Sequence, residues 1–133
     1  MVINYAFFCD AATSDSSGKL NVLGIFENIT FVQFPAVLHR MAFVFSFKPS
    51  HSDKGFNHVA QIQLIESNSD VVILSQDFNV SGEGTVNMII NLENINFQVV
   101  GLYNMNIYID GHLIKSTPLN VIVLEKEITL KPH

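Results

Sequence analysis

Along most of this chain apolar and polar residues change places at every second position, and nowhere does a helical period persist. Met41, Phe43, Phe45 and Phe47 are separated by Ala42, Val44 and Ser46, which predicts a strand with its odd positions in the core. Ala60, Ile62 and Leu64 alternate with Gln61, Gln63 and Ile65, and Val72, Leu74, Gln76, Phe78 and Val80 follow at the same spacing. Val86, Met88, Ile90 and Leu92 form another such series. The clearest strand opens at Gly101: Tyr103, Met105, Ile107 and Ile109 share one face, and Asn104, Asn106, Tyr108 and Asp110 the other.

Turn chemistry punctuates these runs. Ser67-Asn68-Ser69-Asp70 and the two-residue Asp110-Gly111 step predict hairpins, because short polar residues and glycine accept the backbone angles that tight turns require. Val2 to Cys9 reads as a first strand and the polar stretch Asp10 to Lys19 as a loop. Leu20 to Thr30 reads as a strand, a bend or bulge near Gly24 and a second short strand, and Pro35 ends any ladder locally. Lys48 to Gly55 is expected as a long loop and Gly82-Glu83-Gly84 as a turn. Leu113 to Thr117 is expected to pair back onto Tyr103–Ile109, with Pro118 breaking the pairing before a last strand, Leu119 to Leu124.

Eight to nine short strands joined by hairpins predict an all-β fold, a two-sheet antiparallel β-sandwich, since parallel sheets would need crossover helices. The inner faces would meet in a core and the polar outer faces would see water. The strand pattern alone leaves an immunoglobulin-like topology and a jelly roll both open. Residues 1–124 form a single domain in this reading. The tail, 125–133, carries Ile128 and Leu130 between charged neighbours and is a candidate edge strand.

Composition narrows the function classes. The charged fraction is 14%, against about 25% in an average protein, with neutral Asn and Ser in place of the missing charge. A surface so weakly charged repels its neighbours little, which favours self-association. The net charge of −5 and scattered basic residues argue against nucleic acid and against an anionic membrane surface. No apolar run reaches the ~18 residues a spanning helix needs, and Met1–Asp10 lacks the basic start of a signal peptide. The single cysteine, Cys9, excludes an internal disulfide and fits a reducing, cytoplasmic setting.

Several segments carry a recognisable text. Asn4-Tyr5-Ala6-Phe7-Phe8-Cys9-Asp10 precedes Gly18-Lys19-Leu20-Asn21-Val22-Leu23-Gly24-Ile25-Phe26 and Phe34-Pro35-Ala36, and Asn91-Leu92, Gly101-Leu102-Tyr103 and Asp110-Gly111 come later. Together they resemble a family of small bacterial proteins known as a domain of unknown function. The resemblance runs from about Val2 to Val123 and implies an immunoglobulin-like β-sandwich. It implies no activity, cofactor or catalytic residue.

Candidate chemistry is sparse. His51 and His58 flank a loop with Asp53, and could supply two imidazoles and a carboxylate to a metal, but their spacing matches no recognised zinc motif. No serine or cysteine stands in a nucleophile turn, and Cys9, ending an apolar strand, reads as a buried thiol. No catalytic residue and no cofactor is therefore nominated. Phe34, Phe56 and Tyr108, near loops or on a polar face, are candidate interface anchors, with packing against the core as the plainer reading. The leading expectation is a non-enzymatic binding or assembly module that meets a protein partner or itself. The alternative is a hydrolase or a metal- or small-ligand-binding protein with a site built from the 10–18 and 48–58 loops.

Overall fold

The computed structural model describes residues 2–50, 57–81 and 84–124. Nine strands follow in order: β1 (Val2–Ser14), β2 (Leu20–Phe26), β3 (Asn28–Phe31), β4 (Ala36–Lys48), β5 (Asn57–Glu66), β6 (Val71–Ser81), β7 (Val86–Phe97), β8 (Gly101–Ile109) and β9 (His112–Val123). They form a four-stranded sheet, β2-β1-β4-β7, and a five-stranded sheet, β3-β9-β8-β5-β6. Every pairing is antiparallel except β3 with β9, which run parallel. The fold is the expected all-β two-sheet sandwich.

Between the sheets lies one continuous core. Phe43, Phe45 and Phe47 of β4 are fully buried and line up ring beside ring, with centroids 5.8 and 6.1 Å apart. They meet Ile62 and Leu64 of β5 and Tyr103, Met105 and Ile107 of β8, all at zero exposure. The alternation that predicted these strands is the cause: residues two apart point the same way, so each greasy set turns inward together. Tyr103 places its ring edge-on to Phe97 at 5.1 Å and donates its hydroxyl to the Val99 carbonyl at 2.7 Å, so its polar end is satisfied at the corner between β7 and β8.

Both expected hairpin turns are present. Asp110 and Gly111 take φ of 50° and 83°, the two positive angles of a tight turn that follows the strand twist. Across the β5–β6 turn the Glu66 carboxylate accepts the Asn68 and Ser69 amides at 2.8 and 3.1 Å.

Two expectations about strand limits are corrected. Asp10 to Ser14 is strand, not loop, because Ala11, Ala12, Thr13 and Ser14 continue the β1–β2 ladder against Leu23, Val22, Asn21 and Leu20. Only Asp15 to Lys19 turns. There the Asp15 carboxylate accepts the Ser17 hydroxyl at 2.7 Å and the Ser17 and Lys19 amides at 2.9 Å. Nor does Pro118 break β9: it pairs with Asn104 inside one continuous strand. Amides two apart on a strand point the same way, and the Asn120 amide points to the Glu27 carbonyl on the β3 side. Pairing with β3 starts only at Asn120, so the N–H that Pro118 lacks would have faced no strand. The expected tail strand, 125–133, and residues 82 and 83 of the Gly-Glu-Gly turn lie outside the described residues.

Candidate functional site

The outer face of the four-stranded sheet departs from the polar surface expected of it. Register places Phe7, Val44 and Ile89 side by side across β1, β4 and β7, with Cys9, Ala42 and Asn91 in the next row and Tyr5, Ser46 and Asn87 in the row beyond. Cys9, Ala42 and Val44 are at most 1% exposed although they point away from the core. They form a second apolar cluster, packed by Tyr5, Phe7, Ala12, Leu20, Val22 and Ile89.

A bend in the β1–β2 hairpin accounts for that burial. Leu20 pairs with Ser14, five residues beyond Cys9, so a straight hairpin would hold it roughly 16 Å away at ~3.3 Å per residue. Leu20 nevertheless packs on the Cys9–Ala42–Val44 cluster, and β1 comes close to β7 across the intervening β4. The hairpin tip therefore folds over the sheet. The bend lies at Gly24, whose φ of +69° suits glycine. A β-carbon there would overlap the Asp10 carboxylate on the neighbouring strand. Pairing of β1 with β4 stops at Cys9–Ala42, and beyond it the two strands part. The fork holds a cleft of about 350 Å³ lined by Asp10, Arg40 and Glu93 among others, and Arg40 is the chain's single arginine.

The middle rows of this face carry no charged side chain, with Lys48 beyond one end and Arg40 opposite Glu93 beyond the other. Tyr5 stacks on Phe7 at 5.7 Å and donates its hydroxyl to Asn87 Oδ1 at 2.8 Å, while Ser46 accepts from Asn4 at 3.3 Å. Ile25, opposite Cys9 in the ladder, is 62% exposed. The Cys9 thiol itself is no ready nucleophile: burial pushes its pKa up, and the neighbouring Asp10 charge adds to that.

The five-stranded sheet presents a more polar surface, although Leu113, opposite Tyr108, is exposed. Gln63, Asn106 and Ser116 form one row across β5, β8 and β9, and Gln61 and Tyr108 the next. Ser116 donates to Asn106 at 2.6 Å, Asn106 to the Tyr108 hydroxyl at 3.4 Å, and Asn104 to Ser67 at 2.6 Å.

His58 is the one expected metal candidate within the described residues, and it meets a partner 52 positions away. Its Nδ1 lies 2.6 Å from Asp110 Oδ2, while Asp110 Oδ1 accepts the Val59 amide at 2.9 Å. Pairing of β5 with β8, with Ala60 opposite Ile109, brings them together, so a turn carboxylate holds the imidazole at the entry to β5. Among the described residues no three His, Cys, Asp or Glu side chains gather as a metal would require. No helix among them is long and apolar enough to cross a membrane.

Residues 4–122 match the model of a family described as being of unknown function, DUF6941. The chain belongs to the DUF6941 family. The match begins in β1 and ends one residue short of the end of β9, so it takes in all nine strands of the sandwich. No curated protein matches the chain.

In this DUF6941 domain the expected anchors are dispersed. Phe34 is half-buried and sets its ring edge-on to Phe31 at 5.7 Å, packed against the main core. Tyr108 lies half-buried in the polar outer row of the five-stranded sheet. His51, Asp53 and Phe56 lie outside the described residues. The 10–18 segment leaves the Cys9 end of the β1–β4 ladder, whereas the 48–58 segment leaves the Lys48 end, where Val2 pairs. The face that sequence reasoning overlooked is carried by Tyr5, Phe7 and Ile89. Its only signal was an apolar residue at both odd and even positions of Tyr5–Cys9 and Met41–Val44, the mark of a strand covered on two sides.

Proposed function

We propose that this protein is a non-enzymatic assembly module that pairs with a second copy of itself through the outer face of its four-stranded sheet. The carrying observation is the uncharged apolar strip of Tyr5, Phe7, Ile25 and Ile89 on a sheet whose opposite side already packs the core. Contiguous exposed apolar surface marks a site of association. A second copy is the occupant that the charge pattern favours. The chain's weakly charged surface opposes self-association little, and the Tyr5, Phe7 and Cys9 rows bring no charge against charge when two copies meet about a twofold axis. A cytoplasmic setting suits its one cysteine, which is free and buried.

The finer fold type follows the same reading. An immunoglobulin-like sandwich is supported by the order β3-β9-β8-β5-β6, by β3 lying parallel to β9, and by the Tyr103–Val99 hydrogen bond, which matches the tyrosine corner of that architecture.

Light scattering across a protein concentration series tests the assembly. Wild-type protein is expected to pass from monomer to dimer. Ile25→Lys and Ile89→Lys should each weaken association at least about tenfold, or ~1.4 kcal/mol, while Gln63→Lys on the other sheet leaves it unchanged. A wild-type chain that stays monomeric throughout, or equal effects from the two faces, overturns the proposal.

A further inference from the structure

The seam between the sheets, under the passage from β2 to β3, holds a second candidate site. Residue Glu27 carries the chain from the four-stranded to the five-stranded sheet, and its carbonyl accepts the Asn120 amide at 2.9 Å. Pairing with β9 begins only there, so the stretch of β9 around Thr117 and Pro118 faces β1 with no strand between them. Pro118 keeps that stretch open, having no N–H to offer a joining strand. The result is a cleft of about 400 Å³, within the range of small-molecule sites.

Its lining has a definite chemistry. Phe26, partly buried, lines the cleft with its ring, backed by the fully buried Phe8, the two rings 6.1 Å apart and inclined by 23°. Thr117 belongs to the inward row of β9 with Leu119 and Val121, is 9% exposed, and its hydroxyl oxygen is buried without a hydrogen-bond partner. Buried hydroxyls are nearly always paired, so an orphan beside a cleft marks where a ligand atom or a water completes the set. Glu27 and Asn28, both exposed, line the same cleft, and no lysine, arginine or histidine does so among the described residues.

We propose that the seam cleft binds a small aryl-alkyl amine, its ring against Phe26, its far polar group at the Thr117 hydroxyl and its ammonium toward Glu27. Each part has a stated reason: the Phe26 ring takes a flat apolar body, the orphan hydroxyl takes a hydrogen bond, and the lone carboxylate selects a cation. Phe7 and Ile25 belong both to this cleft and to the proposed dimer face, so the titration is made at a dilution where the chain is monomeric.

Tyramine is the probe, because it carries a phenol at one end of its ring and an ammonium at the other. Titration followed by amide and methyl NMR should give saturable shifts at Thr117 and Glu27. Glu27→Gln should weaken tyramine and phenethylamine alike. Thr117→Val, nearly isosteric, should weaken tyramine by about fivefold, the scale of one net hydrogen bond, and leave phenethylamine unchanged. 4-Hydroxyphenylacetate, with the opposite charge, should bind more weakly than tyramine. Absence of saturable shifts, equal binding of the acid and the amine, or affinities indifferent to both substitutions overturns the assignment.

Discussion

The two sheets share a core but not a surface. On the five-stranded sheet the middle outer positions are mostly Gln, Asn, Ser and Tyr, tied by hydrogen bonds as short as 2.6 Å, with single apolar residues such as Ile65 and Leu113 among them. On the four-stranded sheet the corresponding rows are Phe, Val, Ile, Cys and Ala, and the protein folds its own β1–β2 hairpin over part of them. One outer face is finished by water and the other by protein. The hairpin covers Cys9, Ala42 and Val44 but leaves Phe7, Ile25 and Ile89 at least partly open, so the covering is incomplete. A sheet that receives half a third layer from its own chain is suited to receive the rest from another.

Charge placed at matched outer positions separates the faces most sharply. Val44→Asp puts a carboxylate into a site with no exposure and no polar neighbour in its row, and should cost about 3 kcal/mol or more in urea denaturation. Gln63→Asp, among Ser75 and Asn106, should stay within about 0.5 kcal/mol. Equal costs would mean that the two outer faces do not differ.

A smaller effect tests the bend that brings the hairpin over the sheet. Gly24→Ala and Gly111→Ala both force a side chain into positive φ, a strain of about 1–2 kcal/mol, but only at Gly24 does the new carbon meet another group, the Asp10 carboxylate. Gly24→Ala should therefore be the more destabilising, and adding Asp10→Ala should recover part of the difference. If both glycines respond alike in thermal denaturation, the overlap has no energetic weight.

How much of this was legible beforehand depends on the kind of contact. Period-two runs such as Tyr103–Ile109 and the Asp110-Gly111 turn specify strands and hairpins locally, so the sandwich could be read directly. The covered outer face could not. Ala42 and Val44 are small, and opposite a row of phenylalanines they read as the minor side of a strand; only register across three strands assembles them with Cys9, Phe7 and Ile89. Pro118 inside β9 is a failure of another kind. Proline stops a strand only where its missing N–H is needed, and that depends on where β3 begins. The His58–Asp110 pair likewise rests on the β5–β8 register, with no trace in spacing.

Least in size is a pH effect confined to the hairpin tip. The Ser17 hydroxyl, then the Lys19 and other backbone amides, hold the Asp15 carboxyl below its ordinary pKa. A lowered folded value means that the turn gains stability from Asp15 above the ordinary carboxylate pKa and loses it as pH falls through the lowered one. Amide shifts of Ser17 and Lys19 should follow that titration, and Asp15→Asn should abolish it without altering the five-stranded face. A titration at the ordinary value would show that the turn does not hold the ionised form.

The most direct measurement is the response of isoleucine methyls to a dissolved paramagnetic agent, recorded at low and at high protein concentration. Ile25 and Ile89 should lose much of their relaxation enhancement as concentration rises, while Ile65, on the outer face of the five-stranded sheet, keeps its own. If Ile25 and Ile89 remain as accessible at high concentration as at low, the uncovered face has no second copy to meet and the account fails.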